Sequence, residues 1–370
     1  MSLRRILLIF DDCGPGDAAG SAFLLEAVRH AHPEAEIVVL AGEQAAEVFH
    51  RSTIPDRVVV SRLYLSFHRG TLRARFEKVR EIASLLKKLG RGYDLAITFF
   101  WGTLALSVLA LLVARRQIGY RRGFARLRSI DLGRYDQFRD SVRQNLDVLA
   151  AAGIEPPHPA LHPLRTDSSD AAPVEALRLQ HGIDPERPVV VLHSGSDWAC
   201  QQWSIDSWAA LADALIAEHD VQVVWTGREA ERGYVAAVQG LMRSRSVSLC
   251  GQTSNLGELS ALVARADLCI SVDSVPWELA LAQGTSVIIL SGPTMPSEQL
   301  IGGTTAVALN RTRPDVRRMI LRCQASFPHG TCHDYSCPLS QMRHIKLDDV
   351  LRQVASLGPF RPASLEAASR

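Results

Sequence analysis

Three short polar turns in the second half of the chain each follow an apolar run that predicts a buried strand. They lie at 193–197, at 227–229 and at Asp273-Ser274. Small hydroxyls and glycines after a strand suit phosphate oxygens, and a carboxylate there can accept hydrogen bonds from a ribose diol. Each turn alone is equally typical of ordinary turn and capping chemistry. Because the carboxyl ends of parallel strands meet at one edge of a sheet, the three turns together predict a ligand site.

The stretch 264–296 predicts the strand–helix–strand unit that carries the third turn. Two apolar runs flank a helix that Asp273 or Ser274 can cap and that Gly284 can close. A helix N-terminus at the carboxyl edge of a sheet offers free N–H groups and a positive dipole end to a phosphate. The alternative is that Asp273 and Ser274 only cap a helix in an ordinary α/β domain.

An aspartate near the start of the chain is the candidate for acid–base chemistry. Asp17 ends the sequence GPGD, which follows the apolar run Arg5–Phe10. The glycines, Gly16 among them, allow the backbone to approach a ligand closely. The spacing matches neither a dinucleotide-binding fingerprint nor a P-loop. Asp17 can therefore serve as a general base, or it can cap the next helix.

The elements that position these turns alternate between strand and helix in both halves of the chain. The alternation predicts open parallel sheets, and 370 residues suffice for two domains. The stretch 153–173 contains five prolines and is the linker candidate. We therefore predict an N-terminal domain over 1–165, a C-terminal domain over 166–340, and a last helix with a tail over 341–370.

Composition argues against several classes of protein. Lys and Arg number 41 and Asp and Glu 39, so a net charge of +2 gives no whole-chain attraction to nucleic acid or membrane. The apolar runs are too short for a signal sequence or a membrane-spanning helix. Seven cysteines, an odd number in a long chain, suit a reducing compartment. The sequence therefore predicts a cytoplasmic protein.

A local basic stretch leaves its role open. RRQIGYRRGFARLR, at 115–128, includes Tyr120, Arg121 and Arg122. It can meet an anionic acceptor or a lipid surface, which would allow peripheral membrane contact, or it can be a solvated face.

A cysteine-bearing region near the C-terminus also has two interpretations. Cys323, Cys332 and Cys337, with two histidines between the first and the last, could ligate zinc. Their spacings, eight and four residues between cysteines, are not those of a common zinc finger. Free thiols packed in a loop are the alternative, and we predict no bound metal.

Taken in order, these motifs resemble glycosyltransferase family nine, the heptosyltransferases that build the lipopolysaccharide inner core. The resemblance covers about residues 5–357. It rests on GD after the first strand, on a tryptophan before a helix in VVVLHSGSDWACQQWSIDSWAALADAL, and on ADLCISVDSVPWELALAQGTSVIILSGPT. It implies the GT-B arrangement, an α/β fold in which two Rossmann-like domains with parallel sheets face each other across a cleft.

The resemblance also implies a reaction and its residues. The reaction would be inverting, metal-independent transfer from an ADP-heptose-like donor to a hydroxyl acceptor, with no cofactor. Asp17 matches the position of the base, and the last helix would pack back on the first domain. Acceptor contacts are expected from Gly16, Tyr120, Arg121 and Arg122. Donor contacts are expected from Ser194, Gly195, Ser196, Gln201, Gly227, Arg228, Glu229, Asp273, Ser274, Val275 and Glu278.

Three positions depart from the family pattern. Gln201 stands where the family often has a lysine, and Val275 and Glu278 replace a glycine and a histidine of D-[ST]-G-x-x-H. A phosphate-neutralising cation is then missing, and a glutamate near a diphosphate would repel it. The exchanges favour a relative with another sugar or acceptor, such as a secondary metabolite. A nucleotide-sugar epimerase of the same architecture and a non-catalytic nucleotide-sugar-binding relative are the alternatives.

Overall fold

The structure, a computed structural model, describes residues 3–11, 13–63, 72–100, 104–120, 129–133, 136, 139–155, 158–294, 296–297, 300, 305–313, 315–316, 319–320, 323, 337 and 340–357. It divides into two compact units, Met1–His162 and Pro163–Arg370. The division falls inside the proline-bearing stretch 153–173.

A parallel sheet forms the centre of the first unit. Its strands are β1 (Arg5–Phe10), β2 (Glu36–Gly42), β3 (Arg57–Ser61), β4 (Tyr93–Thr98), β5 (Ala114–Gly119) and β6 (Ser129–Asp131). The described helices are α1 (Pro15–Ala19), α2 (Ala22–Ala31), α3 (Glu43–His50), α4 (Leu72–Leu89), α5 (Leu104–Val113) and α6 (Ser141–Ala151). The central strands β1 and β2 are continuous apolar runs, because helices cover both faces of such a sheet.

The second unit repeats this plan. Its strands are β7 (Val189–His193), β8 (Gln222–Thr226), β9 (Val247–Ser248), β10 (Leu268–Val272), β11 (Ser286–Ser291) and β12 (Ala306–Asn310). Its described helices are α7 (Ser168–Gln180), α8 (Ile205–His219), α9 (Arg232–Leu241), α10 (Leu256–Val263), α11 (Val275–Ala282) and α12 (Leu347–Ser356). Trp203, Trp208 and Trp225 pack edge to face in the core, with ring centroids 5.4 Å and 5.8 Å apart.

The two sheets share one topology. The first has the order β3-β2-β1-β4-β5-β6 and the second the order β12-β11-β10-β7-β8-β9, with every pair of neighbours parallel. Counted from its first strand, each sheet therefore runs 3-2-1-4-5-6, the Rossmann order, and the predicted pair of Rossmann-like units is confirmed. In such sheets ligands bind beyond the carboxyl ends of the strands where the order reverses. These places are the ends of β1 and β4 and the ends of β7 and β10.

The last helix completes the core of the second unit. Val350 and Val354 of α12 are buried in the core of the second unit, and the helix packs against α8. Just before it, the Trp203 indole N–H donates to the Ile345 carbonyl at 3.0 Å. The sequence predicts an amphipathic helix here, but an apolar stripe does not specify which core it completes. Packing of this helix on the first domain as well stays a prediction.

The most apolar helix, α5, is short. Its ten residues extend about 15 Å at 1.5 Å per residue, half the thickness of a bilayer core. Within the described parts of the chain, none of the helices combines the length and apolar character needed to cross a membrane.

Candidate functional site

The turn after β7 begins with two buried polar side chains. His193 Nδ1 lies 3.0 Å from the Thr226 carbonyl, and since a carbonyl only accepts, this nitrogen carries the proton. Burial lowers the pKa of His193, which keeps the imidazole neutral. Neither His193 Nε2 nor the hydroxyl of the fully buried Ser194 has a hydrogen-bond partner of normal geometry among the described residues. Both atoms lie buried at the carboxyl end of β7 and need a partner.

A buried glutamate supports two of the predicted turns. Glu231 Oε2 accepts the Arg228 backbone N–H at 2.7 Å, and Oε1 accepts from the Arg228 guanidinium at 2.8 Å and 3.1 Å. A Cβ at Gly195 would lie 2.2 Å from Glu231 Cδ, and one at Gly227 would lie 2.7 Å from Oε2. Both turns therefore need glycine, because the backbone packs directly on the carboxylate. Sequence analysis did not single out Glu231, although its place three residues after a helix N-cap was a usable signal.

Arg228 joins the turns after β7 and β8. Its guanidinium lies 2.7 Å from Asp197 Oδ1 and 2.8 Å from Glu231 Oε1, and its side chain is 60% exposed. The predicted nucleoside carboxylate, Glu229, pairs with Arg232 at 2.6 Å. The cation at this edge is thus balanced by carboxylates yet remains open to solvent.

Hydrogen bonds connect the ends of β7, β11 and β10. The Ser196 hydroxyl donates to Gln201 Oε1 at 2.5 Å, and Gln201 Nε2 donates to Thr294 Oγ1 at 2.8 Å. The Thr294 hydroxyl bonds the Asp273 side chain, and the Trp277 indole N–H donates to Asp273 Oδ1 at 3.1 Å. At the position where the family often has lysine, Gln201 therefore links two turns through its amide.

The start of α11 differs from the capping that the sequence allowed. Ser274 is the N-cap residue, but its side chain makes no capping hydrogen bond. Asp273 accepts from Trp277 instead, and burial raises its pKa although these hydrogen bonds lower it. Val275 and Glu278 lie in the first turn and are partly buried. The N-terminus of α11 therefore begins without a side-chain cap from Ser274.

Asp17 combines the two roles that its sequence context allowed. It lies in α1, its carboxylate accepts the Gly14 N–H at 3.2 Å, and the residue is exposed. Gly16 belongs to the same short helix and is partly buried. Capping engages one oxygen and leaves the carboxylate accessible, so it does not exclude proton transfer.

The predicted acceptor residues are only partly described. Tyr120 follows β5, is 3% exposed, and its hydroxyl donates to Asp147 Oδ2 at 3.4 Å. Arg121 and Arg122 lie outside the described residues. The structure therefore places Tyr120 at the carboxyl edge of the first sheet, with its ring buried.

Two features of this edge were not predicted from the sequence. Asp11 directly follows β1 and is 3% exposed, and burial raises its pKa to about 6. Phe100, two residues past β4, has φ of 57°, a left-handed conformation that is rare for a bulky residue. Asn145 Oδ1 accepts the Phe100 N–H at 3.2 Å and helps to hold this conformation. Such strain tends to occur at functional sites.

The cysteine-bearing region is only partly described. Cys323 and Cys337 form no disulfide with another described residue, and Cys332 lies outside the described residues. Among the residues that are described, no group of three or more His, Cys, Asp or Glu side chains could hold a metal ion. The question of a metal at these three cysteines is therefore untested.

Two Rossmann-like units with polar turns at their carboxyl edges define the class of GT-B glycosyltransferases. The sequence profile of glycosyltransferase family 9 (heptosyltransferase) matches residues 82–319. The chain belongs to this family, and the resemblance found in its motifs is confirmed.

Individual relatives agree with this assignment. The chain is 26% identical over 302 residues to lipopolysaccharide heptosyltransferase 3 of Escherichia coli K12, covering 75% of this chain and 80% of that one. A second match, to the lipopolysaccharide core heptosyltransferase OpsX of Haemophilus influenzae, is 32% identical over 108 residues, covering 29% of this chain and 30% of the relative.

Solved structures show the same fold. The family 9 glycosyltransferase of Veillonella parvula has a TM-score of 0.77 at 19% identity, covering 96% of this chain and 98% of that one. The heptosyltransferase WaaC of E. coli, solved with ADP-2-deoxy-2-fluoro heptose, has a TM-score of 0.59 at 16% identity, covering 95% and 99%.

Proposed function

We propose that the protein is an inverting glycosyltransferase that moves a heptose from ADP-heptose to a hydroxyl acceptor without a metal ion. The observation that carries the proposal is the hydrogen-bonded chain from Ser196 through Gln201 and Thr294 to Asp273. It brings the ends of three strands together at the point where the strand order of the second sheet reverses. The names of the relatives and the ADP-sugar ligand of WaaC support this donor.

The leaving diphosphate would be bound at this edge by neutral donors and one cation. The N–H groups at the start of α11 and the Ser194 hydroxyl can donate to its oxygens, and the Ser196 hydroxyl can do so if it exchanges Gln201 for a phosphate oxygen. Arg228 is exposed enough to exchange Asp197 for a phosphate oxygen while Glu231 holds its other side. Gly195, Gly227, Val275 and Glu278 would line the site, and Glu229 would accept from the ribose diol.

The reaction is written with Asp17 as the base. The acceptor oxygen attacks the anomeric carbon, its proton passes to the Asp17 carboxylate, and the bond from that carbon to the diphosphate oxygen breaks. Attack from the face opposite the leaving group inverts the configuration, through a transition state of oxocarbenium character. The nucleoside diphosphate leaves with the bonding electron pair.

The acceptor would be a lipopolysaccharide core sugar or a hydroxyl-bearing secondary metabolite, bound at the carboxyl edge of the first sheet. The relatives named as lipopolysaccharide heptosyltransferases support the first. The exchanges at Gln201, Val275 and Glu278 support the second. A cytoplasmic location and peripheral membrane contact through the basic stretch 115–128 remain predictions.

A thermal-shift panel with ADP-, GDP-, UDP- and dTDP-sugars, ADP-heptose included, tests the proposal. A ligand that binds only the folded state stabilises it by about 2.7 kcal/mol at a hundredfold excess over its Kd. A shift with ADP-heptose alone is expected. A shift with another nucleotide would move the protein out of the heptosyl class, and no shift would favour a non-catalytic relative. Conversion of a nucleotide-sugar with no acceptor present would indicate an epimerase.

A further inference from the structure

Asp11 is a buried carboxylate that the proposed mechanism does not use. It directly follows β1 at the place where the strand order of the first sheet reverses. The residue is 3% exposed, yet neither carboxylate oxygen has a hydrogen-bond partner of normal geometry among the described residues. Buried polar groups nearly always have a partner, so this one needs an explanation.

The ends of β2 and β3 lie next to Asp11. Gly42 ends β2, and a Cβ there would lie 3.0 Å from the Asp11 carbonyl oxygen, so the two backbones pack closely. Ser61 ends β3, next to Gly42 in the parallel register. The Ser61 hydroxyl interacts with the Asp11 carboxylate and accepts the Leu63 N–H at 3.1 Å. A side chain on residue 42 would therefore disturb the place where Ser61 approaches Asp11.

The charged residues around Asp11 do not neutralise its negative charge. Glu81 on α4 accepts the Arg62 N–H at 3.1 Å, and the Arg62 guanidinium lies 3.5 Å from Glu43. No salt bridge to Asp11 occurs within the described residues. Burial and the charge of Glu81 together raise the pKa of Asp11 to about 6, while the Ser61 hydroxyl lowers it in part. At neutral pH the site therefore holds an ionised carboxylate that no described cation neutralises.

We propose that Asp11 is an acceptor-binding residue whose two carboxylate oxygens accept hydrogen bonds from neighbouring hydroxyl groups of a sugar or polyol. The proposal rests on the proposed function, because that reaction requires a hydroxyl acceptor at this edge. The two carboxylate oxygens match the two O–H donors of a vicinal diol, and hydrogen bonds to an ionised acceptor are the stronger kind. Asp11 would thus hold the acceptor while the exposed Asp17, six residues further on, takes the proton.

The proposal has a consequence for stability that does not depend on any ligand. The ordinary pKa of an aspartate is about 3.9, so folding raises the pKa of Asp11. Such a group begins to cost stability as the pH rises through its unfolded pKa of about 3.9, and the full cost is present above its folded pKa of about 6. Removing the charge by Asp11→Asn should therefore stabilise the ligand-free protein at pH 8 and have little effect at pH 4.

Asp94 offers a matched control at the amino edge of the same sheet. Its Oδ2 accepts the backbone N–H groups of Arg4 and Arg5 at 2.8 Å and 3.2 Å, and these bonds hold its pKa below the usual range. Asp94→Asn should therefore destabilise the protein at pH 8. At pH 8, Asp→Asn should therefore raise the free energy of unfolding at the carboxyl edge and lower it at the amino edge.

The experiment compares wild type, Asp11→Asn and Asp94→Asn in three assays. These are thermal unfolding at pH 4 and 8, ADP binding by calorimetry, and transfer from ADP-heptose to lipopolysaccharide isolated from a heptose-deficient strain. For Asp11→Asn we expect an unfolding midpoint higher by about 2–4 °C at pH 8. We also expect an acceptor KM at least tenfold higher, with ADP affinity unchanged. Asp94→Asn should leave the acceptor KM and the ADP affinity at their wild-type values.

The outcomes separate this proposal from the proposed function. If Asp11→Asn is less stable at pH 8, the carboxylate has internal partners and the proposal is overturned, whether or not transfer occurs. An acceptor KM within twofold of wild type would also overturn it. If wild type binds ADP but transfers no heptose to this acceptor, that acceptor is wrong. In that case the rise in stability of Asp11→Asn at pH 8 still supports a carboxylate kept for a ligand.

Discussion

The two sheets have the same strand order, but their carboxyl edges treat charge differently. At the second edge, arginines pair with Asp197, Glu229 and Glu231, and Asp273 accepts from Trp277; His193 Nε2 and Ser194 Oγ, both neutral, lack a partner among the described residues. At the first edge, no described cation pairs with the buried carboxylate of Asp11, and Phe100 has a strained backbone. The charged side chains of the second edge are therefore paired before any ligand binds, whereas the first edge has a buried carboxylate to which a ligand can donate hydrogen bonds.

The largest effect expected from this contrast concerns Asp17. General-base catalysis contributes about 10²–10⁴-fold, so Asp17→Asn should lower kcat by that factor. ADP affinity should not change, because the nucleotide would bind at the other edge. Steady-state transfer assays and calorimetry with ADP measure the two quantities separately.

Asp140 provides the control for capping. Its Oδ1 accepts the Arg143 N–H at 2.9 Å at the start of α6, so Asp140→Asn alters a cap in the same unit without touching the Asp17 turn. Equal kcat values for the two variants would mean that Asp17 acts only as a cap.

The next largest effect tests the organisation of the second edge. Gly195→Ala places a Cβ where the Glu231 carboxylate lies, and this overlap forces the carboxylate or the turn to move and disturbs the bonds of Glu231 to Arg228. We expect ADP affinity to fall at least tenfold and the free energy of unfolding to fall by about 1–3 kcal/mol. Calorimetry and denaturant unfolding measure these changes.

Gly240 is the matched position for this test. It lies in α9 with nothing within 4 Å of an added Cβ, so Gly240→Ala should stabilise the helix by about 0.5–1 kcal/mol. An unaltered ADP affinity in Gly195→Ala would show that the turn does not contact the nucleotide.

Much of this organisation can be predicted from the sequence. The side-chain contacts that cannot be predicted join residues that are far apart in the chain. Apolar runs followed by polar turns identify the strand ends, and parallel strands bring those ends to one edge. The partner of Gln201 is Thr294, 93 residues away, and no local pattern specifies which side chains meet across that distance. The burial of Asp11 cannot be predicted from local sequence for the same reason, since it depends on Gly42 and Ser61 of two other strands. The same limit explains why the apolar stripe on α12 does not predict which of the two cores this helix joins.

A smaller effect is expected where the family often has a lysine. Gln201→Lys adds a cation next to the diphosphate site but removes hydrogen bonds with Ser196 and Thr294. We expect ADP affinity to rise about three- to tenfold and stability to fall by about 1 kcal/mol for each bond lost. The control is Gln201→Met, which loses the same bonds without adding a charge. If both variants bind ADP equally, Arg228 already neutralises the phosphates.

The smallest expected effect distinguishes a hydrogen bond to a charged oxygen from a hydrogen bond to a neutral oxygen within the second unit. The Trp277 indole donates to the Asp273 carboxylate at 3.1 Å, and the Trp225 indole donates to the Ser246 hydroxyl at 3.1 Å. Trp→Phe at either position removes one such bond, worth about 0.5–1.5 kcal/mol between neutral groups and about 1.5–3 kcal/mol when one group is charged.

The two Trp→Phe variants should differ in their pH dependence. The Trp277 N–H favours the ionised form of Asp273, whose pKa burial raises, so its loss raises that pKa further. The cost of Trp277→Phe should therefore be small at low pH, where Asp273 is protonated in both proteins, and should grow as the pH rises through its folded pKa. Trp225→Phe should show a constant cost, because Ser246 does not ionise. Parallel profiles from denaturant unfolding across pH 4–8 would mean that Asp273 does not change its charge in this range. The second edge would then bind a diphosphate with Asp273 in a single protonation state.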